Sequence, residues 1–318
     1  MDPLISLVVT SYNLELYIED CLQSILPGLD QPVELLLVDD GSVDRTREII
    51  QKFLGPKNIV YLCQPNAGQN AARNLALDHA RGKFIWFIDG DDWLSEGAIA
   101  RACDLVRNLS GDASPAFGSV TVMPDGIRHV FPLKNEPGKP ASGVDLYLNG
   151  ALRYVAWNKL LEKRVIDAQN LRFPAGIQWE MPFLTQYYLS SGPVQITTEV
   201  LYNYRVRPGS IITSGGAGNI RDSAHSIRSV WQVLQAAGMS ASHCAAFVLC
   251  MVNVTAARLG EMVGARQRIS RNDLRPLDDM LIEFSGQVLA AIRRQPVRVL
   301  RALARVCYKR AQLALAGG

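Results

Sequence analysis

Four short polar segments carry most of the side chains in this chain that could do chemistry. They are Thr10-Ser11-Tyr12-Asn13, Asp39-Asp40-Gly41-Ser42-Val43-Asp44, Gln64-Pro65-Asn66-Ala67-Gly68 and Asp89-Gly90-Asp91-Asp92-Trp93. The last is the sharpest. Three carboxylates within four residues repel one another unless something cationic joins them. A hard divalent ion with oxygen ligands is the natural partner, and such an ion commonly holds phosphate oxygens too. The apolar run Phe84-Ile85-Trp86-Phe87-Ile88 leads straight into this segment, which argues against a merely solvated acidic turn. Asp40 offers a carboxylate that can accept the N3–H of uracil. Tyr12 offers an aromatic face suited to stacking on a planar base. Ser42 and Asp44 read as structural, one a helix cap and the other a complement to the helix dipole. Arg73, in the helix after Asn66-Ala67-Gly68, is either a solvated surface arginine or a contact to base or phosphate.

Each polar segment follows a short apolar run, over residues 4–9, 33–38, 59–62 and 84–88. Helical spacing fills the intervals: residues 14–26, a stretch from about Val43 with Ile49, Ile50, Phe53 and Leu54 on one face, and residues 71–80. Strands alternating with helices make βαβ units and a parallel sheet with right-handed crossovers. All four polar segments then lie at strand carboxyl ends, the edge where such sheets bind ligands. No GxGxxG follows the first strand and no GxxxxGK[ST] occurs, which argues against a dinucleotide fold and removes the P-loop. Further on, runs at 117–122 and 128–131 flank Pro124-Asp125-Gly126 and predict a β-hairpin. Residues 133–143 read as a loop, and from about 220 the pattern is helical. A boundary is expected near 215, at Ser214-Gly215-Gly216-Ala217-Gly218, dividing a domain of residues 1–214 from a helical region of residues 215–318.

In this order, and with Ala72-Arg73-Asn74, the segments resemble those of the family 2 glycosyltransferases of the GT-A fold. The resemblance is strong over residues 1–110, looser to about 214 and absent beyond. It implies an α/β, Rossmann-like, mainly parallel sheet flanked by helices, followed here by the C-terminal helical region. It also implies a nucleotide-sugar donor, usually a UDP-sugar, and an inverting displacement by an acceptor hydroxyl. On the same resemblance Thr10, Tyr12, Asp40 and Arg73 would hold the base and Asp89 the ribose. Asp91 would hold Mn²⁺ or Mg²⁺, which binds the diphosphate. The family places its base in a Glu-Asp pair at a helix start. The matching stretch is Phe173-Pro174-Ala175-Gly176-Ile177-Gln178-Trp179-Glu180-Met181-Pro182-Phe183, with Met181 in place of the Asp. A thioether cannot take a proton, so Glu180 is the expected catalytic base. Ala156-Trp157-Asn158-Lys159-Leu160 resembles a stretch beside the acceptor, which puts Trp157 and Asn158, with Trp179, on that side. Tyr202-Asn203-Tyr204-Arg205-Val206-Arg207-Pro208-Gly209-Ser210 resembles the family's closing loop. Arg207 and Ser210 are the expected diphosphate ligands, and strand alternation would point Arg205 and Arg207 the same way.

The composition is that of an ordinary globular protein. Of 318 residues 48% are hydrophobic and 20% charged, which excludes a largely disordered chain. The net charge of +3 gives no sign of a nucleic-acid partner. Charge is uneven: residues 286–318 hold seven basic residues and no acidic one. Over residues 297–315, Arg298, Arg301, Arg305, Lys309 and Gln312 form one helical stripe, and Leu300, Leu303, Val306, Cys307 and Leu313 the other. A basic amphipathic helix of this kind can lie on an anionic membrane surface; packing on the body, an acidic glycan or a partner protein could explain the same charge. The six cysteines show no CxxC and read as reduced thiols. The first residues lack a basic signal-peptide region, and no apolar run is long enough to span a membrane. The expected place is cytoplasmic, peripheral at the inner membrane face, with a glycan or lipid-linked glycan as acceptor. A non-catalytic nucleotide- or glycan-binding scaffold of this fold is the alternative, motivated by Met181.

Overall fold

The computed structural model describes residues 2–131, 133, 138–175, 180–207, 217–238, 240–264, 271–284, 286 and 305–306. Its chain forms two compact units. The first comprises Met1–Gly143 and Arg153–Val206, the second Val144–Leu152 and Arg207–Gly318.

The first unit opens with the expected alternation: β1 (Ile5–Ser11), α1 (Ile18–Ile25), β2 (Val33–Asp39), α2 (Thr46–Gln51), β3 (Ile59–Cys63), α3 (Gln69–His79) and β4 (Phe84–Asp89). There follow β5 (Trp93–Leu94), α4 (Ala98–Arg107), β6 (Ser114–Val122) and β7 (Arg128–Phe131). After α5 (Gly143–Leu148), most of which belongs to the second unit, come β8 (Leu161–Glu162), α6 (Lys163–Ala168), α7 (Met181–Ser190) and β9 (Val194–Arg205).

Two sheets result. The larger has the order β3-β2-β1-β4-β8, parallel except for β8. Every residue of β1 and β2 is buried, because helices cover both faces of the sheet; that is why these strands read as continuous apolar runs. Register brings the chemistry to one edge: Thr10 lies opposite Asp89 on one side and Val38 on the other, and Ser11 opposite Asp39. The smaller sheet, β5-β9-β6-β7, joins the predicted hairpin of β6 and β7 to β9, which runs parallel to β6. Trp86 and Phe117 meet edge-on at 5.1 Å in the core beside it.

Helix α2 starts at Thr46, later than the periodicity suggested. Asp44 holds the chain out of the helix: Oδ1 accepts from Thr46 N at 3.0 Å and Oδ2 from Glu15 N at 3.1 Å. Ser42 is therefore no helix cap. Its hydroxyl accepts from Asn13 N at 3.1 Å, tying two strand-end loops together.

The second unit contains α8 (Ala217–Ala236), α9 (Ala241–Gly264) and α10 (Arg271–Glu283). Ile220, Ala224, Ile227, Val230 and Leu234 make the buried stripe of α8. Trp231, Phe247 and Phe284 form an aromatic cluster with centroids 5.3–5.8 Å apart. Of the basic C-terminal stripe only Arg305, exposed, and Val306, buried, lie among the described residues. Among the described residues no helix is long and apolar enough to cross a membrane. Cys21, Cys63, Cys103 and Cys250 form no disulfide.

Candidate active site

The site grows from the carboxyl ends of β1, β2 and β4. Thr10 is buried there, and its hydroxyl oxygen has no partner among the described residues. An orphaned polar atom at a ligand-binding edge is a group awaiting a partner. Tyr12, by contrast, is 46% exposed, with its ring open for stacking.

Asp40 does something the sequence did not announce. Its Oδ1 accepts from Gln64 Nε2 at 2.6 Å and Ala67 N at 2.9 Å, and its Oδ2 from Gly68 N at 2.8 Å. The carboxylate thus shapes the Asn66-Ala67-Gly68 turn, and little acceptor capacity is left for a base. Gly41 allows the close approach. It takes φ +78°, and a Cβ there would stand 2.7 Å from Asn66 N.

The acidic segment does not act as one cluster. Asp92 turns inward, where Oδ2 accepts from the Tyr202 hydroxyl and Oδ1 from Arg205 N, both at 2.7 Å. Burial, with Asp91 and Asp89 nearby, pushes its carboxyl well up. The expectation that three carboxylates need a shared cation is corrected accordingly: one of them is a structural acceptor. Asp89 faces the other way. Its Oδ1 accepts from Gln69 Nε2 at 2.7 Å and Arg73 Nη2 at 2.9 Å, while Oδ2 accepts from no described residue. Burial raises the Asp89 carboxyl to about 6 against the opposing pull of Arg73. Asp91 is partly exposed between them.

Arg73 is the hub. It is 1% exposed, so the solvated reading does not hold. The guanidinium bridges Asp89 and Glu180, at 2.9 Å to each. It lies over the rings of Phe87 and Phe173, at 5.8 and 5.3 Å from their centroids. Burial works against its charge, but Glu180 and Asp89 outweigh that and hold Arg73 above the ordinary guanidinium value. Helix α3 fixes this arrangement. Asn74 exchanges hydrogen bonds with Phe173 N and O, both at 2.9 Å, and Asn70 donates to Pro174 O at 3.1 Å. The chain leading to Glu180 is thereby tied to the helix that carries Arg73.

Glu180 stands at the start of α7, 7% exposed, and makes no capping hydrogen bond. Met181 beside it is buried in the core. Trp179 and Ser210 lie outside the described residues. Arg207 falls past the end of β9, at the start of the second unit, so strand alternation does not pair it with Arg205. Arg205 itself binds the acidic loop: Nε donates to Asp91 O at 2.9 Å and Nη2 pairs with Asp20 at 2.8 Å.

Trp157 and Asn158 are not acceptor-facing. Trp157 is buried and stacks on Tyr202 at 4.5 Å and Tyr204 at 5.7 Å. Asn158 is buried too, and its Oδ1 accepts from Lys159 Nζ at 2.6 Å. The segment is packed against β6: Asn158 O accepts from Phe117 N at 3.1 Å and Lys159 bridges to Ala116. Lys159 also donates to the carbonyls of Arg153 and Val155. Burial lowers the Lys159 amine to about 7, opposed by Glu180. Gln69, Asn74, Lys159 and Tyr202 support the candidate site; the last three stand in segments the sequence singled out, but were given no role there. Asn70 and Asn74, four apart on α3, were the one legible signal.

Residues 6–161 match the model of glycosyl transferase family 2. The chain belongs to this family. It is 30% identical over 219 residues to the glycosyltransferase EpsJ of Bacillus subtilis, covering 66% of this chain and 63% of EpsJ. It is 30% identical over 222 residues to the glycosyltransferase GlyA of Streptococcus pneumoniae, covering 66% of this chain and 32% of GlyA. The chain thus spans less than two thirds of these relatives. Among solved structures, S. aureus TarS 1-349 in complex with UDP superposes with a TM-score of 0.70 at 20% identity, covering 98% of this chain and 88% of that one. The fold is the GT-A fold.

Proposed function

We propose that this family 2 member is an inverting glycosyltransferase that moves a sugar from a UDP-sugar to a hydroxyl of a surface or lipid-linked glycan. The observation that carries the reading is the single buried guanidinium of Arg73 joining Asp89 to Glu180. It ties the loop suited to a nucleotide to the carboxylate suited to a general base. TarS, which shares the fold, was solved with UDP and with UDP-GlcNAc.

In this reading Tyr12 stacks on the base, the Thr10 hydroxyl finds its missing partner there, and Asp89 Oδ2 accepts from the ribose. Arg207 and Ser210 contact the diphosphate. Glu180 takes the proton of the acceptor hydroxyl as its oxygen attacks the anomeric carbon, and the bond to the diphosphate breaks. The donor set also fits a divalent ion. Asp91, partly exposed in the loop after β4, would be the hard oxygen ligand, and no group of three or more His, Cys, Asp or Glu gathers for a metal among the described residues. One carboxylate plus phosphate oxygens and water is a common way to hold Mg²⁺ or Mn²⁺. When bound, such an ion neutralises charge on the leaving diphosphate. The basic stripe at 297–315 is proposed to rest on the anionic inner face of the cytoplasmic membrane, near a lipid-linked acceptor.

Calorimetric titration of UDP, GDP and dTDP with and without Mn²⁺ tests the donor. UDP binding that needs the metal, and is lost in Asp91→Ala, is the expected result; undiminished binding by that variant would remove the metal role. Glu180→Gln should bind UDP normally yet transfer at least ~100-fold more slowly. Transfer at the normal rate would place the base elsewhere.

A further inference from the structure

Arg153 is a charge without a counterion. Among the described residues it forms no ion pair, and its one side-chain hydrogen bond runs from Nη1 to the Ser119 hydroxyl at 3.2 Å. Its guanidinium lies between the rings of Phe131 and Trp157, 4.9 Å from each centroid. Burial there pulls it below the ordinary guanidinium value. Arg73, more deeply enclosed, goes the other way because two carboxylates face it. A guanidinium does not shed its proton, so the desolvation of Arg153 is only partly offset, by Tyr204 and Asp92 at a distance and by no ion pair among the described residues.

The group nevertheless reaches solvent. Arg153 is only partly buried, and Phe131, at the end of β7, is 44% exposed. It also adjoins the reacting centre. Trp157, on which it rests, stacks on Tyr202, whose hydroxyl donates to Asp92 and accepts from Asp89 N. The Arg153 carbonyl accepts from Lys159, the amine that feels Glu180. Arg153 thus stands two stacked aromatic rings, Trp157 and Tyr202, from the loop of Asp89, Asp91 and Asp92.

We propose that Arg153, with Ser119 and Phe131 beside it, forms a subsite for an oxyanion carried by the acceptor glycan. The planar fork of donors suits a phosphate or a carboxylate, and the flanking rings exclude water and strengthen the contact. A neutral glycan supplies no charge to offset the buried guanidinium, so the subsite selects acidic acceptors. The word acceptor rests on the glycosyltransferase reading; the oxyanion site does not.

The test uses the full chain and four small probes: sn-glycerol 3-phosphate and D-glucuronate, with glycerol and D-glucose as neutral counterparts. Saturable binding of an acidic probe and none of its neutral counterpart is expected, and the tighter acid tells phosphate from carboxylate. Arg153→Met keeps the packed stem, and should weaken that binding roughly tenfold while UDP binding is unchanged. Labelling of the unaltered chain by phenylglyoxal, read by peptide mass, needs no variant: the acidic probe should slow modification of Arg153 and UDP should not. Labelling indifferent to both acids, or slowed equally by UDP, overturns the proposal. Protection of Arg153 in a chain that fails to bind UDP leaves the subsite standing and refutes the donor reading instead.

Discussion

Arg73 joins two carboxylates and would strand both if removed. Arg73→Met leaves Asp89 and Glu180 close together in a buried setting without their cation, a change expected to cost about 3–5 kcal/mol. Urea denaturation of the variant measures it; a loss below about 1 kcal/mol would show that the bridge is energetically idle. Lys159 provides a pH-dependent test. Burial lowers its folded-state amine to about 7, while the unfolded chain keeps the ordinary value near 10.5. Above pH 7 the unfolded state therefore binds more protons, and stability rises with pH until about 10.5. Relative to Lys159→Met, the chain should gain on the order of 1–2 kcal/mol between about pH 7.5 and 9. Parallel curves for the two proteins would contradict that assignment.

At the scale of elements, the site depends on ties between loops and sheets. Tyr202, on β9, binds both Asp92 and the Asp89 amide after β4. Tyr202→Phe leaves a buried acceptor and a donor unsatisfied and should cost about 1–3 kcal/mol in thermal or chemical unfolding. It should also weaken metal-dependent UDP binding, because the acidic loop loses its anchor. At the opposite edge of the larger sheet, Glu34 is buried and accepts from Ser6, from Arg81 N and from the Arg81 guanidinium. Arg81→Ala should therefore lower stability while leaving UDP binding intact, since that pair lies at the amino ends of the strands. Equal damage to both properties would mean that the two edges of the sheet are coupled.

On the scale of the whole molecule, the two units divide the labour in sequence as well as in structure. Apart from Arg207 and Ser210, the residues of the candidate site lie in the first, and the strongly basic segment lies in the second. Replacing Arg298, Arg301, Arg305 and Lys309 with Gln in the full chain should reduce sedimentation with anionic liposomes several-fold, at roughly 1 kcal/mol per basic residue near the surface. UDP binding should be unaffected. An unchanged bound fraction would remove the membrane proposal and direct attention to a protein or glycan partner for the same charge.

The order of β1 to β4 and the gathering of polar residues at one edge were legible in the sequence. Local periodicity determines strands and helices, and right-handed parallel crossovers leave the carboxyl ends nowhere else to go. The motifs also carried the family resemblance. What only tertiary structure decided was which way each polar side chain faces. Asp89, Asp91 and Asp92 look alike along the chain, yet β9, arriving from more than 100 residues away, takes Asp92 as a structural acceptor. Along the chain Arg73 could be a solvated arginine or a ligand contact, and only the segment carrying Phe173 closes over it; Trp157, read as lying on the acceptor side, is stacked on by Tyr202 and Tyr204. Pattern reads the neighbours along the chain, but the charge and burial of a group depend on neighbours across space. The parallel pairing of β6 with β9 is the clearest case, since nothing local specifies a partner so distant in sequence.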